Sequence, residues 1–146
     1  MAGTKGTLTT SAAFSTGTAT NKSILQLVAP AAFAVVVSRA SISFDGNSPT
    51  ANKILVQILR SMTGGTSTVR NPDKINASDS ESLQSTGKEN FSAEPSSGTV
   101  VFEELVHPQG GYTAPESIKV KAGETLTFRV NAPAAVNCRA RFIFEE

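Results

Sequence analysis

The stretch Ile118–Phe144, IKVKAGETLTFRVNAPAAVNCRARFIF, repeats with a period of two residues. Leu126, Phe128 and Val130 alternate with Thr125, Thr127 and Arg129. Val136, Cys138, Ala140, Phe142 and Phe144 alternate with Asn137, Arg139 and Arg141. Successive side chains of a strand point to opposite faces, so each run builds one apolar face and one polar, largely basic face. Upstream, Ile118 and Val120 alternate with Lys119 and Lys121, and Ala122-Gly123-Glu124 supplies a turn. The stretch predicts two or three half-buried antiparallel strands.

The preceding segments follow the same grammar. Strands are expected over Ser23 to Val28, Ala34 to Phe44, Lys53 to Arg60 and Thr99 to Val106. Pro30 ends the first of these, because proline lacks the amide that a ladder needs. In the second, Val36, Ala40, Ile42 and Phe44 are expected on one face, and Val35, Val37, Arg39, Ser41 and Ser43 on the other. Leu55, Ile58 and Leu59 would also fit one helical turn, but length and β-branching favour a strand. Asp45-Gly46-Asn47-Ser48-Pro49 is a dense turn cluster. Seven or eight strands with turn signals between them, and no helix of useful length, predict an all-β antiparallel β-sandwich of jelly-roll type.

Two regions stand apart. Residues 1–22 are rich in Thr, Ser, Gly and Ala, with Leu8 and Phe14 as apolar points. They read as a flexible N-terminal arm ahead of a sandwich domain over residues 23–146. Such an arm is either frayed or ordered against a neighbouring subunit, in which case Leu8 and Phe14 are its anchors. Ser61 to Gly98 is polar, with apolar residues only at intervals. A short strand near Ser67 to Val69, a turn at Asn71-Pro72-Asp73 and a surface excursion from Asp79 to Asn90 are expected, and the excursion would either project toward another molecule or be a plain solvent loop.

The chain has 146 residues, enough for one domain with its own core. Its net charge of +1 gives no electrostatic reason to expect nucleic acid or an anionic membrane as partner. The apolar run Ile24 to Val37 is short for a bilayer span, and the polar residues before it make a poor signal-peptide leader. Sequons at Asn21, Asn76 and Asn90 are then expected to be chance matches.

Candidates for chemistry are scarce. A nucleophilic triad would have to use the single histidine, His107, which lies before a proline in a glycine-rich turn. One His and one Cys do not suggest a zinc site, and Cys138 on the apolar face of its strand is expected to be a buried thiol. Glu103 and Glu104 are adjacent on a strand and point to opposite faces. No catalytic residue, metal or cofactor is therefore expected. The basic set Lys119, Lys121, Arg129, Arg139 and Arg141 is expected on the non-core faces of neighbouring strands, where like charges repel. Either carboxylates such as Glu103 interleave, or this face meets an acidic partner. Phe142, Ile143 and Phe144 place large apolar groups on both faces of the last strand, which suggests a subunit interface.

Several phrases together resemble a known kind of protein. They are Ser23-Ile24-Leu25-Gln26-Leu27-Val28-Ala29-Pro30, Ile42-Ser43-Phe44-Asp45-Gly46, Ile54-Leu55-Val56-Gln57-Ile58-Leu59-Arg60, Val106-His107-Pro108-Gln109-Gly110-Gly111, Ala132-Pro133-Ala134-Ala135-Val136-Asn137 and the ending Phe142-Ile143-Phe144-Glu145-Glu146. The chain is similar, from Ser23 onward, to small β-rich virion proteins of tailed bacteriophages, among them capsid decoration (cement) proteins. The resemblance implies a homotrimer that binds the major capsid protein on the capsid exterior, made in the host cytoplasm without a signal peptide. The alternative is a receptor- or carbohydrate-binding module of a phage tail or fibre. Such a module would be favoured by exposed aromatic platforms, whereas the chain has no Trp and only Tyr112 as tyrosine.

Overall fold

The two-residue period of the last strand is also its burial pattern. Cys138, Ala140, Phe142 and Phe144 are buried, while Asn137, Arg139 and Arg141 are exposed. A computed structural model describes residues 3–46 and 52–146; Asn47-Ser48-Pro49 of the expected turn cluster lies outside them. The strands among the described residues are β1 (Lys5–Thr9), β2 (Phe14–Ser15), β3 (Asn21–Val28), β4 (Val35–Phe44), β5 (Ile54–Arg60), β6 (Thr66–Val69), β7 (Asp73–Lys74), β8 (Thr86–Ala93), β9 (Thr99–Val106), β10 (Gly111–Thr113), β11 (Ile118–Val120), β12 (Thr125–Asn131) and β13 (Asn137–Glu145).

They form two antiparallel sheets. One is seven-stranded, in the order β10-β4-β13-β1-β7, with β11 also on β4 and β2 also on β13. The other is six-stranded, in the order β6-β8-β3-β12-β5-β9. The chain winds between them so that β1 lies beside β13, and β3 beside β12. Its inner quartets are β1-β13-β4-β10 and β3-β12-β5-β9. This is the winding of a jelly roll, with β6, β7 and β8 as additions between β5 and β9.

The inner faces interdigitate. Leu8, Val35, Val37, Ala40, Ile42, Phe44, Cys138, Ala140, Phe142 and Phe144 from the first sheet belong to one cluster with Leu25, Leu27, Ile54, Val56, Ile58, Leu126, Phe128 and Val130 from the second. At about 1.5–3 kcal/mol for each large side chain removed from water, this shared layer is the main stabilising contribution.

Two expectations are corrected. The first concerns the faces of β4. Arg39 pairs with Ile143 and Val37 with Phe144, so Ser38 is an extra residue, a β-bulge. The bulge inverts the alternation: Val35 and Val37 join Ala40, Ile42 and Phe44 in the core, and Val36 is exposed. The second concerns the N-terminal arm. Residues 5–9 are β1, hydrogen-bonded between β13 and β7 of their own chain, and Leu8 is fully buried in that chain's core. Thr4, Gly6 and Thr10 face inward with it, so small residues and one leucine suffice for a strand whose neighbours supply the bulk. Phe14 lies on β2 beside Cys138 and is packed at the core's margin. The terminus is further held by the C-terminal end, where the Glu146 N–H donates to Thr4 O (3.0 Å) and the Gly3 N–H to a Glu145 carboxylate oxygen (2.8 Å).

The polar region 61–98 is likewise more structured than its composition suggests. The expected short strand is β6, but the expected excursion ends in β8, which pairs with the second half of β3 through Thr86, Gly87, Lys88 and Glu89. Glu89 of β8 is buried and accepts hydrogen bonds from the Ser11 N–H (2.8 Å) and hydroxyl (2.5 Å). A buried carboxylate that is hydrogen-bonded in this way no longer carries the full desolvation penalty.

Candidate arginine face

The pairings of the first sheet put residues of four strands in shared rows. Thr113 of β10 lies opposite Ser41 of β4, Ser41 opposite Arg141 of β13, and Arg141 opposite Thr9 of β1. Beside this row, Gly111 lies opposite Ser43, and Ser43 opposite Arg139. On the other side, Arg39 lies opposite Ile143. Directly opposed residues share a face, and Tyr112, Ile42 and Ala140 between the rows pack on or in the core. Arg39, Arg139 and Arg141 therefore share the outer face, with Ser41, Ser43 and Thr113 alongside.

These residues line a shallow trough of about 380 Å³. Its floor is the backbone of the pleated sheet. Gly111 is among its lining residues and leaves no room for a side chain, since a Cβ there would lie 2.8 Å from Ile42 O. No carboxylate lines it. Among the described residues the one ion pair is Arg70–Asp73 (4.0 Å), so the three trough arginines form none. The trough is thus a set of guanidinium forks beside hydroxyls on a rigid sheet. Arginine's planar fork matches a carboxylate or phosphate in a bidentate arrangement, which makes anion recognition the chemistry available here.

The expected basic set divides. Arg139 and Arg141 are in the trough. Lys119, on β11, shares the outer face but lies in a different row, Lys119–Val36–Glu145, where a carboxylate does interleave. Lys121 is exposed in the turn after β11. Arg129 is on the other sheet, where its Nε (3.0 Å) and Nη2 (2.8 Å) both donate to Gln57 Oε1, and Gln57 Nε2 donates to Glu103 Oε1 (2.8 Å). Arg39 was not in the set. It lies on the polar side of β4, but that β4 and β13 are neighbours is a tertiary fact that no spacing in the sequence encodes.

The trio at the chain's end also divides. Phe142 and Phe144 are fully buried in their own chain's core and offer no surface to another subunit. Ile143 is half-buried on the outer face, between Arg39 and Thr7. His107 caps a turn: its Nδ1 accepts from the Gln109 N–H (3.1 Å) and its carbonyl from the Gly110 N–H (2.8 Å). Cys138 is buried, and burial pushes its thiol pKa up to about 12, against a smaller lowering by Lys22. Tyr112 sits at the core's margin, where burial, and then the Glu104 charge, raise its pKa. Among the described residues no group of three or more His, Cys, Asp or Glu could hold a metal ion, and no helix is long and apolar enough to cross a membrane.

No family model, no curated protein and no solved structure matches the chain.

Proposed function

We propose that this protein is a structural subunit of a tailed-phage virion, a homotrimeric decoration protein that binds the outside of the capsid through its arginine face. The observation that carries the reading is the convergence of Arg39, Arg139 and Arg141 on one outer face with no carboxylate among them. Like charges at adjacent strand positions cost stability in the isolated subunit, and an acidic surface on the major capsid protein would offset that cost. Charge complementarity of this kind accelerates encounter and fixes register on the shell, and it weakens with added salt. A rigid sheet is suited to presenting such a face, because the backbone need not be ordered on binding.

The test is to mix the purified protein with undecorated shells assembled from the major capsid protein of the same genome, and to image them by cryo-EM. Ordered density at symmetry-related outer sites, lost at high salt, is the expected result. Shells that remain bare at saturating protein would remove the reading.

A further inference from the structure

The second sheet ends in two unlike edges. Among the described residues no strand pairs with the outer side of β9 or of β6. β9 is eight residues long, and Val100 and Leu105 on it are 41% and 57% exposed. A long edge with exposed apolar side chains is a template for pairing with another chain. On β6, Val69 is 70% exposed.

The two valines terminate the same cross-sheet row. Val69 lies opposite Lys88, Lys88 opposite Gln26, Gln26 opposite Thr127, Thr127 opposite Leu59, and Leu59 opposite Val100. The sheet has six strands, all antiparallel, so β6 and β9 run in opposite directions. A second copy set edge to edge, β9 against β6, therefore continues the antiparallel alternation.

We propose that β9 of one copy pairs with β6 of the next, with Val100 opposite Val69. β9 already carries an extra residue at Val101, since Val100 pairs with Leu59 and Phe102 with Ile58. Counting past that bulge, Phe102 meets Thr68, Glu103 meets Ser67 and Glu104 meets Thr66. Val100 and Val69 both lie on the outer face, and Phe102 and Thr68 both on the inner. Each glutamate then faces a hydroxyl that can donate to it, and charge-assisted hydrogen bonds of this kind are among the stronger ones. The competing two-fold arrangement, β9 against β9, clusters Glu103 and Glu104 of one copy against the same pair of the other. Like charges opposed across strands are destabilising, so the charge pattern selects the head-to-tail contact. Contacts of that type close into a ring when the rotation between copies permits.

Oxidative cross-linking tests the register. Directly opposed positions bring Cβ atoms within about 4.5–5.5 Å, close to what a disulfide spans. The Val100→Cys and Val69→Cys proteins are prepared separately, mixed at micromolar concentration and oxidised, with wild type as the control for the buried Cys138. The mixture is expected to give a disulfide-linked heterodimer and each protein alone to stay largely uncross-linked. In parallel, light scattering of wild type should give a mass above the 15.2 kDa of one chain, and Val100→Lys should return it to that mass with an unchanged circular dichroism spectrum. Efficient self-cross-linking of a Glu103→Cys protein, the position that the two-fold contact sets against its own copy, would overturn the proposal in favour of that contact. A wild type of single-chain mass with no mixed cross-link would overturn it altogether.

Discussion

Phe128 of the second sheet and Phe142 of the first stack across the sandwich, with ring centroids 5.1 Å apart and planes inclined by 17°. The pair joins the two layers at fully buried positions on adjacent-in-sequence strands that lie in different sheets. Replacing Phe142 by Ala leaves a void between the sheets and is expected to cost about 3–5 kcal/mol in a urea titration. Ile143→Ala, one residue on but facing outward, should cost less than about 1 kcal/mol. Equal losses at the two positions would mean that the strand is not oriented as described.

The N-terminal strand is part of the fold and not an appendage. Leu8→Ala is expected to destabilise by about 2–5 kcal/mol, and deletion of residues 3–20 by more, seen as a lower thermal midpoint. A deletion variant with the midpoint of wild type would show that β1 contributes nothing to the sandwich.

Gly87 is where β8 admits Leu8. A Cβ at this position would lie 2.6 Å from Leu8 Cδ1 and 2.5 Å from Arg70 O. Gly87→Ala should therefore cost about 1–3 kcal/mol by overpacking. Adding Leu8→Ala should not recover it, because the backbone oxygen of Arg70 stays in place.

Cys138 is protected by burial. Native protein at pH 8 should resist thiol reagents and react only on unfolding. Its pKa is raised from the 9.0 usual for the thiol to about 12, so its contribution is complete below pH 9. As pH rises from 9 toward 12, the unfolded chain ionises first, and stability should fall by up to about 1.4 kcal/mol per pH unit. Cys138→Ala should remove that component of the alkaline loss, whatever its effect at neutral pH.

Strand positions were legible where one side of the strand is apolar and the other polar: β3, β4, β5, β9, β12 and β13 all lie within a residue or two of the expected spans. What periodicity misses is a strand whose inward positions are small or polar. β1 offers Gly6 and Leu8 to the core, and β8 offers Gly87 and Glu89, because their neighbours fill the space or supply the hydrogen bonds. A single bulge at Ser38 was enough to exchange the faces at the start of β4. The arginine face was half legible. Arg139 and Arg141 announce themselves by alternation on one strand, but Arg39 joins them through a pairing between residues about one hundred positions apart, and Arg129 leaves them for the other sheet.

The arginine face is the centre of the functional account, and one titration addresses it. Wild type and an Arg39→Gln/Arg139→Gln/Arg141→Gln variant would be co-sedimented with undecorated shells over a range of protein and salt concentrations. All three side chains point away from the core, so the variant should keep wild-type stability to within about 1 kcal/mol. The account predicts saturable binding of wild type that weakens with salt, and at least a tenfold loss of affinity in the variant. Binding of the variant as tight as that of wild type, with the same salt dependence, would contradict it.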